Sequence, residues 1–194
     1  MTTHETSRLS SKGSPLTVEY LETLPDDNNR YELIAGELLV SRAPSLPHQL
    51  ALQKLETAIA KYLEQNPVGI VVPGPGVIFS DYDSVIPDIV FVTNERWDKI
   101  VANDRFIAAP NLVVEVLSPG TKNWNRDFEV KHGLYAKFGV EEYWIVNGEN
   151  HQLTVFRLRG GVLEEVCTLE NHDKLSSPLL PNFELSVSSL FVFP

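Results

Sequence analysis

Leu112-Val113-Val114-Glu115-Val116-Leu117 is an apolar run broken by a single carboxylate. A short continuous run of aliphatic residues predicts a central strand covered on both faces. A carboxylate in such a strand faces a large desolvation cost unless it is paired, protonated or bound to a metal. A structural ion pair and a protonated glutamic acid are the plain alternatives to a functional site.

Outward from this strand, two more ionisable residues interrupt apolar patterns. Upstream, Val85 to Val92 predicts a neighbouring strand, and by alternation Asp88 shares a face with Val90 and Val92. Asp is a poor strand former, so a solvated strand start is the bland alternative. Downstream, Asn125 to Phe138 predicts a helix ended by Gly139. Phe128 precedes Lys131 by three, while Leu134 and Tyr135 follow it by three and four. That spacing puts Lys131 on the apolar stripe. Asp127, four residues earlier, offers it an ordinary surface pair instead.

Farther out, Leu16 to Leu24 predicts a short helix. Tyr31–Ile34 and Glu37–Val40 flank Ala35-Gly36 and predict a β-hairpin. Leu52, Leu55, Ile59, Tyr62 and Leu63 give a helical stripe from about His48 to Glu64. Short strands are predicted at Val68–Val72 and Val77–Ser80, with a turn at Pro73-Gly74-Pro75-Gly76. Tyr143–Val146, Leu153–Leu158 and Val162–Leu169 predict three more. The fold class is therefore α/β (α+β), a mixed sheet flanked by helices with an N-terminal hairpin. Residues 1–14 read as a flexible polar tail and 15–194 as one domain.

The chain has 194 residues, and 16 Lys and Arg against 26 Asp and Glu leave a formal charge of −10. This argues against a protein that coats nucleic acid through a broad basic surface, but leaves room for a local basic patch. No window approaches the roughly 18 apolar residues of a membrane span, and the start lacks an apolar signal segment. The single Cys excludes a disulfide framework and a multi-Cys zinc site. Cys167, in Val166-Cys167-Thr168-Leu169, reads as a small core side chain. A cytoplasmic location is expected.

Taken together, two carboxylates from neighbouring strands and an inward lysine suit a divalent-metal hydrolase. Hard oxygen ligands select Mg²⁺ or Mn²⁺. Lys131 would orient the attacking water or stabilise developing negative charge.

Pro87-Asp88 followed by Glu115 resembles the PD-(D/E)xK nuclease superfamily. The chain is similar, from about Leu16 to Leu190, to its restriction-endonuclease-like family of the Uma type. Tyr31-Glu32-Leu33-Ile34-Ala35-Gly36-Glu37-Leu38, His48, Pro87 to Val92, Val114 to Thr121, Asp127 with Lys131 and Tyr135, and Gly139 to Val146 carry the likeness. The resemblance implies a restriction-endonuclease-like fold and a metal-dependent endonuclease acting on DNA. It implies Asp88, Glu115 and the Val116 backbone carbonyl as metal ligands. Glu37 would be a further acidic residue of the site, with Glu32 the poorer candidate. Lys131 would be catalytic, and His48, Asp127 and Tyr135 would line the site.

The chain departs from the superfamily pattern two residues after Glu115, where Leu117 replaces a lysine and Lys131 is the obvious substitute. Ala35 and Asn147 are smaller departures. Lys122, Arg126 and Lys137 cluster near Lys131 as candidate nucleic-acid contacts, or as a plain solvated helix. The rival functional class is a catalytically inactive binding or regulatory module that kept the fold. Duplex cutting would call for a homodimer. The apolar Leu190 to Phe193 would serve as an interface or, preferably, close the core.

Overall fold

The computed structural model describes residues 7–9, 14–117 and 124–192, with side chains described for 14–117 and 128–192. The chain runs through β1 (Ser7–Leu9), α1 (Val18–Leu21), β2 (Arg30–Ile34), β3 (Glu37–Ser41), α2 (Leu46–Gln65), β4 (Gly69–Pro73), β5 (Val77–Ser80), β6 (Asp83–Val85) and β7 (Ile89–Thr93). It continues through α3 (Asn94–Ile100), β8 (Val101–Ala102), β9 (Arg105–Phe106), β10 (Leu112–Leu117), α4 (Trp124–Phe138), β11 (Glu142–Asn147) and β12 (Gln152–Arg159). Then come β13 (Val162–Glu170), β14 (Lys174–Ser177), β15 (Leu180–Ser186) and a 3-10 turn at Val187–Leu190.

The central sheet has the order β13-β12-β11-β10-β7-β4. β10 and β11 are parallel, which requires a crossover, and α4 supplies it. The apolar run of β10 sits inside this sheet with both faces covered, as its composition predicts. Leu112, Val114 and Val116 pack beneath Ala51, Leu55 and Ile59 of α2, together with Leu175, Leu180 and Leu190 from the C-terminal segment. Val113 joins the opposite cluster, with Leu134 and Tyr135 of α4 and Ile34, Val77 and Val85 of the second sheet. That second sheet has the order β1-β3-β2-β6-β5-β9-β8.

The expected strand over Val85 to Val92 is two elements. β6 belongs to the second sheet and β7 to the central one, and the chain crosses between them at Ile86-Pro87-Asp88. Pro87 has no N–H for a ladder, so pairing breaks there. Pro73 to Gly76 is likewise a crossing from β4 to β5 rather than a turn within one sheet. The β2–β3 hairpin has the predicted two-residue turn, with φ 51° at Ala35 and φ 75° at Gly36. β1 lies within the stretch read as a tail and pairs with β3, Ser7 opposite Val40. Helix α3 and the β14–β15 hairpin have no counterpart in the sequence reading.

Leu190 is buried in the core, and Phe191 stacks on His151 with ring centroids 4.8 Å apart. Phe193 lies outside the described residues. Burial, first among several causes, pushes the Cys167 thiol above its ordinary pKa. No helix among the described residues is long and apolar enough to cross a membrane.

Candidate active site

The crossing at Pro87 delivers Asp88 to the first position before β7. Val114 pairs with Ile89, so the β7–β10 register continued by one step sets Asp88 opposite Glu115. The Asp88 side chain is 4% exposed, yet it has three donors. Arg30 Nη1 lies 3.2 Å from Oδ1, while His48 Nε2 at 3.0 Å and the Val116 N–H at 2.8 Å reach Oδ2. Burial raises the pKa of this carboxyl, but the His48 bond and charge, the Val116 N–H and Arg30 outweigh it and hold it below the usual range. An ionised carboxylate only accepts hydrogen bonds, so His48 carries its proton on Nε2. Its buried Nδ1 has no partner among the described residues.

Glu115 projects from the same face of the sheet toward α4. Its Oε1 accepts from Lys131 Nζ at 2.9 Å and from the Tyr135 hydroxyl at 2.7 Å. The helical stripe thus points Lys131 inward, as the i, i+4 spacing to Tyr135 predicts. Lys131 also donates to Glu32 Oε1 at 2.9 Å, and Glu32 Oε1 accepts the Ile86 N–H at 2.8 Å. Burial raises the Glu115 pKa, and the Asp88 and Glu32 charges add to that against the opposing charge of Lys131. Burial works against the Lys131 ammonium, but Glu115 and Glu32 outweigh it and raise its pKa. Burial and then Glu115 push the Tyr135 hydroxyl well above its ordinary pKa.

The acidic side chain that joins this group is Glu32, not the expected Glu37. Arg30, Glu32 and Ile34 alternate onto one face of β2, and Glu37 pairs with Ile34 at the turn. Glu37 shares that face but stands two residues, about 7 Å, beyond Glu32 and is exposed. Arg30 is absent from the sequence reading, although the Arg30-x-Glu32 spacing already places it on Glu32's face. Lys137 is exposed and pairs with the buried Asp83 at 3.3 Å, which commits part of its charge. Lys122 and the side chains of Arg126 and Asp127 lie outside the described residues. Leu117, at the superfamily's lysine position, is half-buried against the cluster that holds Tyr135.

Among the described residues, no group of three or more His, Cys, Asp and Glu side chains is close enough to cage an ion. The chemistry of the converging donors nonetheless fits a hard divalent cation. Two carboxylates oppose each other, and Asp88 raises the pKa of Glu115, a repulsion that a cation would relieve. Both hydrogen bonds to Glu115 fall on Oε1, and among the described residues none reaches Oε2. The N–H and C=O of a strand residue point to the same edge, so the Val116 carbonyl faces the edge where its N–H meets Asp88.

Compared with known families, residues 18–188 match the one described as "Uma2: Putative restriction endonuclease". The chain belongs to that family. Among solved structures, this Uma2 chain is similar to a crystal structure at 1.96 Å described as a "putative nuclease belonging to DUF820" from Anabaena variabilis ATCC 29413. The TM-score is 0.75 at 20% identity, over 91% of this chain and 98% of that one, a likeness of fold. Among curated proteins nothing matches. Uma2 membership and the mixed α+β architecture agree with the sequence reading and support a nuclease-like function.

Proposed function

We propose that this Uma2 chain is a Mg²⁺- or Mn²⁺-dependent endonuclease that hydrolyses phosphodiester bonds in DNA. The observation that carries the reading is the Lys131 ammonium seated 2.9 Å from Glu115, on the face that Asp88 shares. Asp88, Glu115 and the Val116 carbonyl are the metal-holding groups. A bound divalent ion supplies charge stabilisation at phosphate and a more acidic water. His48 and the Val116 N–H fix the orientation of Asp88, and Tyr135 fixes that of Glu115. Lys131 replaces the lysine lost at Leu117 and stabilises negative charge developing on the phosphate oxygens. Glu32 holds Lys131 in place. DNA is the partner, two copies together cut a duplex, and the site of action is the cytoplasm.

A second reading has a specific observation in its favour. Each carboxylate of the group already has a cationic partner: Arg30 on Asp88, and Lys131 on Glu32 and Glu115. Such a site has a cationic side chain at every carboxylate without any ion, which suits an inactive nuclease-fold binding or regulatory module. Nicking of supercoiled plasmid by wild-type protein and Asp88→Asn, with Mn²⁺ or Mg²⁺, separates the two. Metal-dependent nicking lost in the variant supports the enzyme. Equal nicking by both rejects this site, and none by either favours the module.

A further inference from the structure

We infer that Arg30 binds a phosphodiester oxygen of the substrate through the free edge of its guanidinium, an inference that rests on the nuclease reading above. A site built from Glu32, Asp88 and Glu115 in a chain of charge −10 repels a polyanion, so phosphate needs a cation with donors to spare. Lys131 is poorly suited to first contact. It is 16% exposed and commits two of its three donors to Glu32 and Glu115.

Arg30 is placed differently. Its side chain is 30% exposed beside an Asp88 that is 4% exposed, so it reaches solvent where the carboxylate does not. Among the described residues its one hydrogen bond, Nη1 to Asp88, engages one part of a group with five N–H donors. Its Nη2 faces Gly74. A Cβ built on Gly74 would meet Arg30 Nη2 at 3.6 Å and nothing else within 4 Å. Gly74 is itself fixed beside the site by its N–H bond to the Asp88 carbonyl at 2.9 Å. Anchored on Asp88 by one nitrogen, the planar fork keeps an edge suited to two phosphate oxygens, which a lysine cannot reproduce.

The test titrates full-length protein in Mg²⁺ with the dinucleoside monophosphate dTpdT, followed by ³¹P NMR, beside its uncharged methylphosphonate analogue. Arg30→Met is expected to weaken dTpdT binding at least tenfold and Arg30→Lys to fall between, with no change for the analogue. In plasmid nicking, Arg30→Met is expected to raise KM at least tenfold, and by more than it lowers kcat. Thermal melts identify a misfolded variant, and Arg30→Lys then carries the comparison. Wild-type protein that does not bind dTpdT, or variants that bind it equally well, overturns the assignment. Nicking with an unchanged KM in both variants overturns Arg30 and leaves the nuclease reading standing. Arg30-dependent dTpdT binding by a wild type that never cuts supports Arg30 and removes the nuclease.

Discussion

His48 and Asp88 meet inside the protein, Nε2 to Oδ2 at 3.0 Å, with both side chains 4% exposed. His48 comes from the first turn of α2 and Asp88 from the crossing into β7, so this bond ties the helix to the sheet at the site. His48→Ala leaves Asp88 with Arg30 and the Val116 N–H only. It is expected to lower stability by about 1.5–3 kcal/mol, the range for a hydrogen bond to a charged group. The double variant with Asp88→Asn should cost less than the two singles combined, because they share one contact. Urea unfolding of the four proteins measures this coupling, and simple additivity would refute it.

Lys131 holds two carboxylates apart in charge while touching both. Lys131→Met leaves Glu32 and Glu115 without their cation and is expected to cost about 3–5 kcal/mol at neutral pH, as when one partner of a buried pair is removed. Burial already raises the Glu115 pKa and the variant loses the opposing Lys131 charge, so the loss is largest at neutral pH and shrinks as pH falls and Glu115 protonates. Unfolding midpoints of wild type and variant at pH 7 and pH 5 test the sign.

The hairpin turn makes a separate prediction. A Cβ on Gly36 would lie 2.4 Å from the Pro15 Cβ, at a backbone φ of 75°. Gly36→Ala therefore combines strain and collision, and is expected to destabilise by more than about 1 kcal/mol. Ala35, with φ 51° and an exposed side chain, is the opposite case. Ala35→Asn is expected to stabilise by several tenths of a kcal/mol, because Asn tolerates the left-handed region better. Differential scanning calorimetry gives both signs.

Asp83 supplies the acid-sensitive anchor of the same turn. Its Oδ1 accepts the Ala35 N–H at 2.8 Å, while Ser80 and Lys137 reach Oδ2. Burial raises its pKa, but these three partners outweigh it and lower the net value. A depressed carboxyl contributes stability that is present above its unfolded pKa, about 3.9, and lost as pH falls through the folded value. Asp83→Asn should therefore be less stable than wild type at pH 7, with the gap closing toward pH 3. A gap that stays constant with pH would show that the charge contributes nothing.

Most of the architecture was legible because long elements carry strong periodicity. The stripe of α2, the run of β10 and the inward face of α4 all follow from spacing, and the last of these placed Lys131 correctly. The split of Val85 to Val92 was missed because period-2 alternation continues through Pro87 although the chain changes sheets there. The sequence does not order Glu32 above Glu37, because a hairpin's register does not say which of its ends meets the rest of the protein. Packing settles that: the Ile86 N–H and Lys131 are at the Glu32 level. Arg30 interrupts no apolar pattern, and its spacing to Glu32 marks a shared strand face without marking a function.

The pairing of Glu32 with Lys131 spans 99 positions of chain. During synthesis the hairpin with Glu32 emerges early, His48 and Asp88 follow, and Glu115 precedes the lysine that neutralises it. A nascent fragment that ends between Glu115 and Lys131 therefore has all three carboxylates without the ammonium. Glu32 and Glu115 acquire the cation they share only after the ribosome has delivered α4. A translation product truncated before Lys131 lacks the cation that both glutamates share.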